Sequence, residues 1–485
     1  MRASLATRIK RLRHFWQANC RVSGPLAAII TVKRNVAGNI TVDNNEIGSG
    51  NMDIQEMYTI KKRTPAELAE YVHSNELIGS ASALGQPPEI IRAIGARAKR
   101  GELVGVELVQ NHMVSSGLPY IDDDMQGKFR QRPLFVNPEA RKLVHDGKID
   151  YYPCALSQQA RMWEENIRPR VYIATASPMD RHGYFSMAVG GTEIQTLKRV
   201  ADVILLEVSP HYPRVMGDNF IHISEITAFC ETENYLQELP AQEYSKEDVT
   251  IASYIAERIE DGACLQFGIG RIPDAVGSML MEKHDMGIHS EMFCTSMAKL
   301  MKCGAVNNSR KNINVGRAVF TIAGGTQETY DFMDDNPSVE GHPCRYVNDP
   351  RIISQNDNVV SINGCLETDL VGQVCSESIG PFSISASGGQ LDFVRGANWS
   401  RGGHSYLVMH STAKKGTVST IRPTLTPGAH VTTPKNEVDC IVTEYGIAEL
   451  RGRSAAQRAK ALIAIAHPDF RDELTFEARK NGLMV

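Results

Sequence analysis

The chain reads as an α/β protein with two open, mostly parallel sheets, one in each half. Three observations predict this. Short apolar, β-branched runs bounded by Gly or Pro recur along the sequence, and such runs are strands buried on both faces, as in parallel sheets. Helical patterns lie between them, and strand–helix alternation implies parallel sheets covered by helices. The 485 residues exceed one ordinary core, and a polar stretch near the middle divides them.

The elements follow in chain order. Residues 1–51 form an extension. No acidic residue precedes Asp43, while Arg2, Arg8, Lys10, Arg11, Arg13, Arg21, Lys33 and Arg34 are basic. That composition is that of an organelle targeting segment. The equal alternative is an upstream start, because ordinary charged helix material begins only at Met52. On either reading the extension is expected to be separable from the fold. Strands are then expected in "LVGVELVQ" (103–110), "PRVYIATASP" (169–178) and "ADVILLEVS" (201–209). Around 230–250 the chain turns polar and is expected to be a linker, which gives an N-terminal domain 52–240 and a C-terminal domain 245–485. The second domain opens on a helix. Ser245 is its N-cap with Asp248 three residues on, Ile251, Ile255 and Ile259 share a face, and Gly262 stops it. Further strands are expected in "ACLQFGIG", "NVVSING", "HSYLVMHS" and "VDCIVTEYG".

Composition narrows the function. The chain is 42% hydrophobic and 22% charged with a net charge of −4, which is globular and argues against general nucleic-acid binding. Ten scattered cysteines contain no CxxC pair and read as reduced thiols, not as disulfides or a metal site. The longest apolar runs, such as "PLAAIITV", are too short to span a bilayer.

Four features carry candidate chemistry. "GIHSEMF" (287–293) places one formal charge, Glu291, at a turn with apolar neighbours on its C-terminal side. A buried unpaired carboxylate is costly, so this one is expected to be held dry for chemistry. "LQFGIGRIPDAV" (265–276) is strand, then Gly268-Ile269-Gly270, then a helix opening at Pro273-Asp274. Such a turn lets backbone approach a ligand, and helix N-termini attract phosphate; a plain tight turn is the equal alternative. "SASGGQLDFVRGA" (385–397) offers the backbone N–H groups of Gly388 and Gly389 as a nest for an oxyanion; a plain tight turn is again the equal alternative. "STAKKGTVS" (411–419) offers Lys414 and Lys415 to a phosphate, or to solvent. His289, His404 and His410 are acid/base candidates that no spacing singles out, and "DDD" (122–124) reads as a solvated loop.

In this order, with "VQNHMVSSGLPY", "PRVMGDNFIHISEI", "YVNDPRIISQNDNVVSING", "TVSTIRPTLTPGAHVTT" and "DCIVTEYGIAELRGRS" around them, the chain resembles the acetyl-CoA hydrolase/transferase family, the class I CoA-transferases. Within it the likeness is to the butyryl-CoA:acetate and 4-hydroxybutyrate CoA-transferase branch, over roughly 55–485. The resemblance implies two such domains facing each other across an active-site cleft. It implies that Glu291 is the catalytic nucleophile, carrying CoA as a glutamyl thioester. It implies CoA contacts at Gly268, Ile269, Gly270, Arg271, Leu366, Gly388, Gly389 and Lys415, with Lys414 an alternative to Lys415. Ala386 stands where the family usually has the first glycine of G-x-G-G-Q, which would strain the loop if φ there were positive.

The implied activity moves CoA between a short-chain acyl-CoA and a carboxylic acid, acetate being the expected acceptor, with butyrate or 4-hydroxybutyrate among the partner acids. An acyl-CoA hydrolase using the same Glu291 is the alternative within the family; a non-catalytic CoA-binding protein is the alternative outside it. Coenzyme A enters as substrate. No bound cofactor, metal, nucleic acid or membrane is expected, and the homo-oligomeric state is left open. The expected location is cytoplasmic, or mitochondrial or a related organelle if 1–51 is a transit segment.

Overall fold

The computed structural model describes residues 33–34, 40–41, 53–111, 118–191, 193–239 and 243–484. It divides into Met1–Asp53 and Ile54–Val485. In the first unit Lys33–Arg34 pairs antiparallel with Ile40–Thr41; the rest of the expected extension 1–51 lies outside the described residues.

In the second unit the first sheet contains β1 (Leu77–Ser80), β2 (Val106–Gln110), β3 (Phe129–Pro133), β4 (Val171–Ala176), β5 (Val203–Val208) and β6 (Ala228–Glu231). The order is β6-β5-β4-β1-β2-β3, and every pairing is parallel. Strands β4 and β5 are buried at every residue, which is why their sequences are unbroken apolar runs. Strand β3 alternates instead: Phe129 and Gln131 are buried, while Arg130 and Arg132 point out to Glu107 of β2 at 2.6 and 2.8 Å. Strand β6 extends into the polar stretch expected to be linker, so that stretch leaves regular structure only after Glu231.

The second half contains, in chain order, α1 (Lys246–Ala256), β7 (Cys264–Phe267), α2 (Arg271–Ser278), β8 (Gly287–Ile288), β9 (Met292–Cys294), α3 (Thr295–Lys302), β10 (Ile322–Gly324), α4 (Cys344–Val347), β11 (Val359–Gly364), α5 (Gln390–Trp399), β12 (His404–Val408), β13 (Cys440–Thr443) and β14 (Gly446–Glu449). Its sheet runs β8-β7-β11-β12-β13-β14, parallel except for the closing β13–β14 hairpin. The strand after β7 in this sheet lies on one side of it and β11 on the other. That reversal opens a crevice at the carboxyl ends of β7 and β11, where ligands of open α/β sheets sit.

Helix α1 has the expected capping box: the Ser245 N–H donates to Asp248 Oδ2 at 2.9 Å, and the Asp248 N–H donates to Ser245 Oγ at 3.1 Å. It ends at Ala256, earlier than the Gly262 stop that the sequence suggests. The N–H groups of Arg258 and Ile259 bond the carbonyls three residues back, which tightens the last turn and ends the α-helix. Ile259 stays buried, and Gly262 takes φ +83° in the turn before β7.

The two halves meet at several places, one of them behind the 384–392 loop. Arg141 Nε donates to the Ile384 carbonyl at 2.7 Å, the Leu156 N–H to the Gly388 carbonyl at 3.2 Å, and Ser157 Oγ to Asp392 Oδ1 at 2.7 Å. The first half therefore braces the 384–392 segment from outside. Among the described residues no helix is long and apolar enough to cross a membrane.

Candidate active site

Glu291 occupies the turn between β8 and β9 at the mouth of the β7/β11 crevice. Its backbone is fixed by the parallel pairing of β9 with β10 and by two N–H donors, Thr321 at 3.1 Å and Ile322 at 3.0 Å, on its own carbonyl. The side chain is half-buried. Asn348 Nδ2 donates to its Oε2 at 2.9 Å, and the backbone N–H of Gly389 donates to the same carboxylate. Gly389 is the N-cap of α5, so the positive end of a ten-residue helix faces the carboxylate. Burial nonetheless raises its pKa to about 7, against the Asn348 hydrogen bond and with the Asp392 charge adding to the rise.

The sequence does not single out Asn348. It follows α4 directly and is fully buried. His289 fixes that helix end. Its ring is fully buried and its pKa is pushed down to about 3, by burial first and then by Lys311. The neutral ring donates from Nε2 to the Val347 carbonyl at 2.9 Å, one residue before Asn348. His289 is thus a positioning group and not an acid/base group. His404 and His410 are engaged elsewhere, with Asp439 at 3.0 Å and Asp248 at 2.8 Å.

Gly389 is indispensable in this geometry. A Cβ there would lie 1.8 Å from Glu291 Oε2 and 2.1 Å from Asn348 Nδ2. Gly388 takes φ +53°, whereas Ala386 is not among the residues of positive φ. The alanine at the family's first glycine position therefore costs no backbone strain. Gly268 is needed for closeness too: a Cβ would come within 2.6 Å of Asn363 Oδ1, part of a buried network with Gln266 and Ser361.

The structure brings most of the expected site together. Gly268, Ile269, Glu291, Gly388 and Gly389 line one cavity of about 190 Å³, to which Phe135 of the first half also contributes. Gly268, Ile269, Gly270 and Arg271 line an adjoining cavity of about 390 Å³. Gly270 takes φ +144° as the N-cap of α2. Arg271 Nε lies 3.5 Å from the buried Asp248 carboxylate, tying the turn to α1. Leu366 and Lys415 line neither cavity. Leu366 donates its N–H to the Cys375 carbonyl, and Lys415 is exposed at a hairpin tip with φ +58°, next to Lys414 at φ +49°.

Among the described residues one cluster has metal-ligand chemistry: ligand atoms of His404, Asp439 and Cys440 lie within 4.8 Å of one another. Arg451 already holds Asp439, donating from Nε at 3.0 Å, so a cation is in place there without an ion.

A carboxylate with pKa near 7 is a nucleophile only above that pH. The reaction rate is expected to rise with pH through about 7 and to fall roughly tenfold per unit below it as Glu291 takes up its proton. A rate constant across pH 5 to 8 would contradict this.

Comparison with known proteins points the same way. The family model for the acetyl-CoA hydrolase/transferase N-terminal domain matches residues 48–240, and the C-terminal domain model matches residues 325–478. A succinyl-CoA:cyclohexane-1-carboxylate CoA transferase of Geobacter metallireducens is 43% identical, covering 88% of this chain and 97% of its own. A 4-hydroxybutyrate coenzyme A transferase of Clostridium kluyveri is 42% identical over 88% of this chain and 100% of its own. The crystal structure of RipA from Yersinia pestis superposes with a TM-score of 0.85 at 39% identity, over 89% of this chain and 100% of that one.

Proposed function

The chain belongs to the acetyl-CoA hydrolase/transferase family and is a CoA-transferase, and from that premise we propose that it moves CoA between a short-chain acyl-CoA and a carboxylic acid through a thioester on Glu291. The observation that carries this reading is the setting of Glu291: a half-buried carboxylate held by Asn348 and the Gly389 N–H, beside a cavity open to substrate.

In the first step a Glu291 oxygen attacks the thioester carbonyl. The C–S bond breaks, giving an acyl-glutamyl anhydride and CoA thiolate. The thiolate then attacks the glutamyl carbonyl, the acid leaves as a carboxylate, and glutamyl-CoA remains. An acceptor carboxylate reverses the two steps. This is covalent catalysis in two half-reactions. Each attack on the glutamyl carbonyl places negative charge on its oxygen, and the Asn348 amide and Gly389 N–H are already aimed there. One such donor is worth roughly 10²–10³ in rate. Partial burial keeps the activated species from water.

The relatives' names support acetate, butyrate and 4-hydroxybutyrate as the class of acids. We further propose that Gly268 to Arg271 and Gly388–Gly389 contact CoA, with Lys415 and Leu366 reached only by the outer parts of that ligand. CoA is a substrate, and the reading needs no resident cofactor. Two functional halves, 52–240 and 245–485, and a cytoplasmic or organellar location set by 1–51, complete the proposal.

Steady-state kinetics test it. Donor and acceptor varied together are expected to give parallel double-reciprocal lines, and CoA release without acceptor is expected to be negligible after the first turnover. Sustained release at the rate seen with saturating acetate, in buffer free of acetate, would make the enzyme a hydrolase.

A further inference from the structure

The chemistry needs the Asn348 amide held against Glu291, yet little around Asn348 itself fixes it. Its Oδ1 is buried with no hydrogen-bond partner among the described residues, so the amide is tied only through Nδ2 to Glu291. The helix before it, α4, is a single turn of four residues. A helix that short has no stability of its own, so its place comes from anchors at its two ends. The His289 ring holds the last carbonyl, that of Val347. The first end is held from the other half of the chain, by Glu193.

Glu193 is 1% exposed and is the N-cap of the helix Ile194–Val200. Its Oε2 accepts from Thr196 Oγ1 at 2.8 Å, which fixes the carboxylate on its own helix. Its Oε1 accepts the Arg345 N–H at 3.0 Å. The Cys344 thiol reaches the same Oε1 at 2.9 Å, with the Leu156 carbonyl its other acceptor at 3.0 Å. The Arg345 guanidinium turns away, to Glu164 at 3.9 Å. A carboxylate buried this fully is costly unless hydrogen bonds hold it, and two of those bonds come from the first turn of α4. Cys344 then closes that turn, its carbonyl accepting the Asn348 N–H at 2.8 Å. We propose that Glu193 is a positioning residue for the transfer reaction: through Cys344 and Arg345 it sets α4 so that the Asn348 amide meets the oxyanion on the Glu291 carbonyl. This rests on the transferase reading above. It makes the first half of the chain set the geometry of a nucleophile carried by the second.

A double-mutant cycle with Asn348→Ala tests it, read as kcat with butyryl-CoA and acetate. Glu193→Ala is expected to lower kcat roughly 10²-fold, the scale for displacing a catalytic group by about 1 Å. It is also expected to move the pH midpoint of the rate upward from about 7, because the Asn348 hydrogen bond opposes the rise that burial imposes on Glu291. In the Asn348→Ala enzyme the same Glu193→Ala change is expected to cost no more than about twofold, the scatter of independent sites. Glu193→Gln keeps an oxygen for Arg345 and Cys344 and is expected to stay within about fivefold of wild type, the difference between a charged and a neutral acceptor. Cys344→Ala removes one of the two links with a smaller change in volume, and carries the same cycle if Glu193→Ala does not fold: its loss, too, should vanish in the Asn348→Ala background. Losses that multiply in the double variant would make Glu193 a structural residue only and overturn the proposal. So would an unmoved pH midpoint, or a Glu193→Gln enzyme as slow as Glu193→Ala. A wild-type enzyme that transfers no CoA would instead overturn the transferase reading, and this role with it.

Discussion

Glu291→Gln is expected to abolish CoA transfer almost completely, by roughly 10⁴–10⁶ in kcat, the scale for loss of a covalent nucleophile. The amide keeps the shape and accepts the same hydrogen bonds from Asn348 and Gly389, so the fold should survive. Stability should rise. The Glu291 pKa is raised from its ordinary value to about 7 in the folded protein, so the folded state holds this proton more tightly than the unfolded one. Its contribution is present below about pH 4.5 and is lost as pH rises through 7. A glutamine there has no such loss. The variant is therefore expected to melt above wild type at pH 8 and level with it at pH 4. Near-normal turnover, with deamidation excluded by mass, would remove Glu291 from the mechanism.

Gly389→Ala is expected to have the next largest effect, a fall of about 10³ in kcat, the combined scale of a displaced nucleophile and a lost donor. The backbone at Gly389, φ −100° and ψ 7°, suits alanine. The cost is contact: a methyl 1.8 Å from Glu291 Oε2 and 2.1 Å from Asn348 Nδ2 forces the carboxylate or the amide to move. Gly388→Ala is the contrast. Its nearest new neighbour is Phe135 at 3.5 Å, but its φ is +53°, so the expected loss is about 1 kcal/mol of stability with a smaller change in rate. Rates and melting curves of the two variants check this, and reversed effects would misassign the turn.

The parts of the molecule legible from the sequence share a physical reason. Strands β4, β5, β7, β11, β12 and β13 are buried runs of apolar residues with glycine, proline or polar boundaries, so their pattern is local. Glu291 was legible as a lone carboxylate among apolar neighbours, and the two glycine turns as breaks between strand or loop and helix. Strands β1, β3 and β6 were not. β1 is four residues with a glycine inside, β3 alternates arginines outward, and β6 ends in Glu231. Asn348 was hidden for a different reason. Its role arises because Asn348 lies 57 residues from Glu291 in sequence yet its amide is 2.9 Å from the carboxylate in space. Asp392 and Ser157, which join the halves beside the site, are likewise paired only by the fold. The phrase "YVNDP" was part of the family likeness, and an asparagine between a helix and Asp-Pro was the only local signal. Leu366 came from the likeness alone and Lys415 from the lysine pair together with the likeness, and the two cavities include neither.

The central claim is that Glu291 carries CoA, and the mass of the Glu291 peptide tests it most directly. Enzyme mixed with acyl-CoA and no acceptor, then quenched in acid and digested, is predicted to show that peptide heavier by one CoA joined with loss of water. One equivalent of free acid per site should appear with it, and addition of acetate should discharge the adduct as acetyl-CoA. Glu291→Gln should give no adduct. An unmodified Glu291 peptide in wild-type enzyme that is turning over, or an adduct on any other residue, would contradict the account.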